Sequence, residues 1–126
     1  MSSASQRVRD YLDAMERRDL DRARAMLAPG FSMLFPGGVR LATLEALVAW
    51  SRPRYQFVRK HYDRYDECPG DGETVVYCHG TLVGRWNDGS EFAGIRFIDR
   101  FVVRDGKLAD QMVWNDMGEA RAPSSG

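Results

Sequence analysis

Cysteine, histidine and net charge are all scarce in this chain of 126 residues. Cys68 and Cys78 are the only cysteines and form no C-x-x-C pair, which argues against a disulfide scaffold or a thiolate zinc site. His61 and His79 are the only histidines, and neither stands at a metal-ligand spacing from a carboxylate or thiolate. No metal and no cofactor is expected. Eighteen basic side chains cancel eighteen acidic ones, so the positive field that a nucleic-acid partner needs is missing. The one basic stretch, Arg52, Arg54, Arg59, Lys60 and Arg64, runs straight into Asp66 and Glu67 and reads as a solvated strand face. No apolar run approaches the roughly 18 residues that cross a bilayer. The opening segment has no apolar stretch of the kind a secretory signal carries. A cytoplasmic protein is expected, with neither a membrane nor a nucleic-acid partner.

What is present is an ordinary globular mixture, 44% hydrophobic and 29% charged, of a length that supports one core. A single domain over residues 1–126 is predicted, with flexible ends at 1–4 and 121–126. Val8, Tyr11, Leu12 and Met15 recur at helical spacing and predict a first helix, capped by Ser5. Asp19 caps a second, shorter helix that buries Leu20, Ala23 and Leu27 and stops at Pro29-Gly30. A strand over 31–35 breaks at Pro36-Gly37-Gly38, and Thr43 caps a third helix that Pro53 kinks or ends. Strands follow over about 58–66, 74–86, 92–103 and 108–117, the last three joined by turns at Asn87-Asp88-Gly89 and Asp105-Gly106. Helices followed by a meander of long strands make an α+β order. A sheet of that length curls, and helices on its concave side leave a cone that is filled or hollow.

One acid stands out against this pattern. Ile95, Phe97, Phe101 and Val103 share one face of their strand, and Arg96, Arg100 and Arg104 share the other. Asp99 lies on the apolar face, where a carboxylate is costly unless it is bonded, paired or protonated. Its neighbours depend on the register of the Asn87-Asp88-Gly89 hairpin. A three-residue loop with a glycine bulge puts Tyr77, His79 and Thr81 beside it; a two-residue Asp88-Gly89 turn puts Cys78, Gly80 and Leu82 there, because one slip flips every side chain. The three-residue loop is the leading register, and it pairs His79 with Asp99 as an acid–base dyad. Tyr11 either packs in the core or donates to a ligand oxygen. Asp99, His79 and Tyr11 are thus the candidate catalytic residues. Tyr77, Phe97, Phe35, Trp50, Val113 and Asn115 are the candidate pocket-lining residues.

Several motifs, in their order, resemble the nuclear-transport-factor-2-like superfamily. They are Arg18-Asp19-Leu20-Asp21, the run from Met26 to Phe31, Ile98-Asp99-Arg100-Phe101 ahead of Asp105-Gly106-Lys107, and Trp114-Asn115-Asp116. The resemblance spans nearly the whole chain. It implies a cone-shaped α+β barrel, three N-terminal helices packed on a curved antiparallel sheet around a hydrophobic pocket, and a homodimer formed through the sheets. Compared with ketosteroid isomerase, Tyr11 matches the oxyanion-donating tyrosine and Asp99 the aspartic acid held protonated as second donor. The general-base position falls at or near Phe35. Compared with SnoaL-like cyclases, Asp99 matches a pocket histidine and Val113 stands where the catalytic aspartate would be. Of the Asp-Arg-Asp set of limonene epoxide hydrolase, the positions fall near His79, near Thr81 and on Val113. Scytalone dehydratase is similar in combining a strand histidine, a second acid–base group and a helix tyrosine, roles that suit His79, Asp99 and Tyr11.

The resulting expectation is a cofactor-independent lyase or isomerase acting on a small, largely apolar, oxygenated molecule. The alternative is a non-catalytic ligand-binding or protein-interaction domain in which Asp99 is a structural hub.

Overall fold

The structure is a computed structural model, and it describes residues 3–121. The elements run α1 (Ala4–Glu16), α2 (Leu20–Ala25), β1 (Leu27–Phe35), β2 (Val39–Leu41), α3 (Leu44–Ser51), β3 (Phe57–Pro69), β4 (Thr74–Arg85), β5 (Glu91–Arg104), β6 (Lys107–Asn115) and α4 (Met117–Arg121). The six strands form one sheet in the order β2-β1-β6-β5-β4-β3. This is the mixed α+β architecture expected. The sheet is not wholly antiparallel, because β1 lies parallel to β6. The ends at 1–2 and 122–126, expected to be flexible, lie outside the described residues, whereas Ala4 and Arg121 are helical.

Helix boundaries follow side-chain chemistry. Ser3, rather than Ser5, caps α1 by accepting from the Gln6 amide at 3.1 Å. Asp19 and Thr43 cap α2 and α3 as their sequence positions predict. At the far end of α1 the Arg18 amide donates to the Met15 carbonyl and the Asp19 amide to the Ala14 carbonyl. This is a Schellman closure, whose left-handed residue is usually glycine. Here that residue is Arg18, at φ 59°. Three expectations for the next segment change. Leu27 starts β1 instead of ending α2, Pro29-Gly30 lies within that strand, and the short strand β2 follows the glycine turn. Met117, expected in the last strand, starts α4.

The helices lie against the concave face of the sheet. From α1, Val8, Tyr11, Leu12, Ala14 and Met15 are buried. From the strands, Val76, Cys78 and Leu82 of β4 meet Ile95, Phe97 and Phe101 of β5. The register that sets this face has two parts. The β4–β5 loop is the expected three-residue one, closed by the Trp86 amide donating to the Ser90 carbonyl at 2.8 Å. Further along, Gly84 pairs with Phe92 but Leu82 with Ile95, so one residue of β4 opposes Ala93 and Gly94 together. Gly94 takes φ +71°, the backbone a bulge of this kind favours. That extra residue slips the register by one, and Asp99 pairs with Cys78. Tyr77, His79 and Thr81 therefore lie on the convex face, contrary to the leading expectation. The turn itself is the expected one, and the separate bulge at Ala93 and Gly94 reverses its consequence.

A second irregularity, between Tyr62 and Arg64 on β3, brings two backbones together at Gly80. A Cβ there would sit 1.9 Å from the His61 carbonyl oxygen. Gly80→Ala is expected to cost about 3 kcal/mol, the upper end for overpacking a rigid site. Gly94→Ala, which meets open space but keeps a positive φ, should cost about 1–2 kcal/mol. Urea denaturation of both variants checks this order, and a larger loss at Gly94 would contradict the assigned contacts.

Candidate functional site

Asp99 is 0% exposed in the middle of the concave face. Its partner comes from β3, where Val58, Lys60 and Tyr62 point inward by strand alternation, opposite Gly84, Leu82 and Gly80. The Lys60 ammonium lies 2.5 Å from Asp99 Oδ2 and 5.0 Å from the centre of the Phe97 ring. Burial pushes the Asp99 carboxyl up, and the Lys60 charge and hydrogen bond oppose that push. Burial also works against the Lys60 ammonium, and the charge and bond of Asp99 outweigh it, holding that group above its ordinary range. Each charge persists at this depth because of the other.

A cavity of about 120 Å³ opens beside this pair. Leu12, Met15, Phe35, Leu47 and Val58 form its apolar wall, and Tyr11, Lys60, Tyr62 and Gln111 bring polar atoms to it. Two of these groups are unspent. The Tyr11 hydroxyl and Gln111 Oε1 are buried with no hydrogen-bond partner among the described residues, as is Asp99 Oδ1. A buried polar atom without a partner costs roughly 1–3 kcal/mol, so its retention needs an explanation. Tyr11 is held by a tilted contact with Phe31 and an edge contact with Phe101, at ring separations of 6.2 and 6.0 Å. Burial and then the Asp99 charge keep its hydroxyl protonated well above the usual phenol range, so it is a donor. Tyr62 is likewise raised by burial and stays neutral. The Cys78 thiol, raised to about 12 by burial and by Asp99, is no nucleophile. Among the described residues no three His, Cys, Asp or Glu side chains converge as a metal site would require.

The predicted residues therefore divide. Tyr11 lines the cavity, and Asp99 stands behind Lys60 without lining it. His79 pairs with Ile98 on the convex face and cannot share a dyad with Asp99, because the Gly94 bulge turns it outward. Tyr77, opposite Arg100, is displaced for the same reason. Phe35 lines the cavity. Trp50 stands behind it, with ring centres 4.9 Å apart, and is covered by the Arg54 guanidinium. Phe97 and Val113 are buried on the concave face without lining the cavity. Asn115 accepts from the Met117 amide and caps α4. Lys60, which the basic stretch places on a solvated strand face, and Gln111, to which the sequence pattern gives no role, are both brought to the cavity. For Lys60 the signal existed, since it alternates with Arg59 and His61 in phase with Val58 and Tyr62.

The sequence profile of the SnoaL-like domain matches residues 8–111. No curated protein is significantly similar to the chain in sequence. Among solved structures, a nuclear-transport-factor-2-like protein of unknown function from Burkholderia pseudomallei superposes with a TM-score of 0.77 at 22% identity, covering 95% of both chains. A candidate dehydratase of the same fold from Streptomyces avermitilis gives 0.69 at 16% identity, over 86% of this chain and 90% of that one. A candidate polyketide cyclase from Xanthomonas campestris gives 0.64 at 18% identity, over 93% of each. At these identities the structures establish shared architecture, and the profile match establishes kinship: the chain belongs to the SnoaL-like domain family, with the nuclear-transport-factor-2-like fold.

Proposed function

We propose that the cavity binds a small, largely apolar, oxygenated molecule and that the chain acts on it as a cofactor-independent lyase or isomerase. The observation that carries this reading is the set of unspent polar groups, Tyr11 and Gln111, beside the Lys60–Asp99 pair. A cavity meant only to be filled has no use for them. The candidate dehydratase and cyclase among the structural neighbours are in keeping with it.

The pair supplies a route for a proton. Passing one proton from Lys60 to Asp99 gives an amine and a carboxylic acid with no change in net charge; the ion pair is the resting form, and burial of both groups brings the neutral form within reach as the reactive one. The Lys60 amine then takes a proton from the carbon beside a substrate carbonyl. The electron pair moves to the carbonyl oxygen, where the Tyr11 hydroxyl donates. In an isomerase the Lys60 proton returns to a different carbon. In a dehydratase the bond to a β-hydroxyl breaks as the enolate collapses, and that hydroxyl leaves as water with the Lys60 proton. Gln111 Oε1 accepts from a substrate hydroxyl and orients it. A second reading, ligand binding without turnover, is favoured by the strength of the Lys60–Asp99 contact, which also suits a purely structural pair.

We further propose a homodimer through the convex face. Trp114, 49% exposed, stands in line with Ile98 and His79 across β6, β5 and β4, and Val83 is 39% exposed on the same side.

Lys60→Met alone strands Asp99 in the core and should cost about 3–5 kcal/mol. The double variant Lys60→Met/Asp99→Leu should recover most of that stability and still fail to bind cyclohexanone, as followed by denaturation and NMR titration. In deuterated buffer the wild type should speed exchange of the protons beside the cyclohexanone carbonyl by at least about 10²-fold over the double variant. Binding without faster exchange would favour the non-catalytic reading. In Asp99→Asn the charge and hydrogen bond that most raise Lys60 are gone while burial, the largest influence on it, still lowers it, so its ammonium should deprotonate at lower pH than in the wild type. The Lys60 side-chain resonances followed by NMR across pH should then titrate at lower pH than in the wild type; an unshifted profile would count against the coupling. Trp114→Glu should yield a folded monomer by light scattering, and an unchanged mass would remove the dimer.

A further inference from the structure

We infer that the molecule taken by this site is an organic anion, its carboxylate held at the cavity mouth by Arg18 and Arg52 while its oxygenated apolar end enters. The inference deepens the pocket reading above and rests on it.

The first argument is size. An apolar cavity of about 150 Å³ takes up one benzene molecule, and this one measures about 120 Å³. It accommodates a small ring or a short chain and little else. A larger substrate can continue outward past Ser51 and Tyr55, which line both the cavity and the space beyond it. Beyond them lies a groove of about 380 Å³ that shares Arg18, Val48, Ser51 and Tyr55 with the cavity. Cavity and groove therefore form one path from solvent to Lys60.

The second argument is charge. The charged residues lining the groove are Arg18 and Arg52, and no acid joins them there. Neither arginine forms an ion pair among the described residues, although many other arginines do: Arg17, Arg24, Arg64, Arg85, Arg96 and Arg104 each lie within 3.3 Å of a carboxylate. Glu16 borders the cavity and not the groove. A carboxylate passing inward would meet Glu16 and lose its hydration, which keeps it at the arginines.

The third argument is backbone strain. Arg18 holds the left-handed position of the α1 closure, where glycine would fit without cost. An arginine there is destabilising for the helix end, and strained residues persist where their side chain has work at a site. The Arg18 guanidinium is steadied by donating to the Met15 carbonyl at 2.7 Å, one turn from Tyr11. That bond fixes a guanidinium beside the path to the Tyr11 hydroxyl.

The test uses para-hydroxyphenylpropanoate and its neutral primary amide, titrated by calorimetry at low and high salt. The phenol suits Tyr11 and Gln111, and the two probes have nearly the same shape and differ chiefly in charge. The acid should bind about tenfold more tightly than the amide at low salt, with the difference shrinking as salt rises. Arg52→Gln should reduce the acid to the affinity of the amide and leave the amide unchanged. Arg18→Gly should do the same without lowering Tm, since glycine relieves the strain. The double variant Lys60→Met/Asp99→Leu should weaken both probes alike. Equal affinity for acid and amide, or arginine variants that weaken both equally, overturns the anion assignment and leaves the pocket reading standing. Failure of the wild type to bind either probe overturns both.

Discussion

A carboxylate sealed away from water has to be answered by an opposite charge, and in this protein the answer reaches across the sheet from β3. Asp99 is inaccessible among aromatic rings, and Lys60 closes on one of its oxygens while remaining in touch with the cavity. Desolvating two charges is expensive, and an apolar pair of similar volume usually serves stability as well or better. The cost makes sense when the same atoms do something besides hold the fold. The other Asp99 oxygen, the Tyr11 hydroxyl and the Gln111 carbonyl are all left without partners around that pair. A core selected for stability alone would have satisfied or removed them.

The arrangement depends on a slip of one residue. The hairpin between β4 and β5 closes with the loop its sequence favours, and the bulge at Ala93 and Gly94 then exchanges the two faces of β4 relative to β5. With it, Cys78, Gly80 and Leu82 lie under the helices; without it, Tyr77, His79 and Thr81 would. A second irregularity, on β3 beside Gly80, lets Lys60 and Tyr65 both point inward although five positions separate them. Strand period is two, so each extra residue changes what lines the cone while leaving the path of the chain almost the same.

Family membership and chemistry part company here. The SnoaL-like profile covers most of the chain, and the fold repeats in structures of quite different sequence. Yet Phe35 and Val113 occupy positions at which the resemblance would put carboxylates. Function in such folds belongs to the side chains grafted into the cone. In this chain those are a lysine, a glutamine and a tyrosine, with the aspartate behind them.

From the chain alone one could read the α+β order, the caps at Asp19 and Thr43, both turns after β4 and β5, and the burial of Asp99. All of these are local or follow from period-two alternation within one strand, and such signals survive in a linear sequence. The partner of Asp99 was a different kind of question. Lys60 is thirty-nine residues away, and whether it or His79 faces the acid turns on two bulges, one marked only by Gly94, a residue type that many ordinary loops and strand ends also contain, and the other, at Asp63 on β3, by no glycine of its own. The cavity was beyond reach for a similar reason: empty volume is what remains after helices, sheet curvature and side-chain sizes have been fitted together. Residue types and local periods were written in the sequence. Which of them meet, and whether space is left between them, was decided only when separate segments packed.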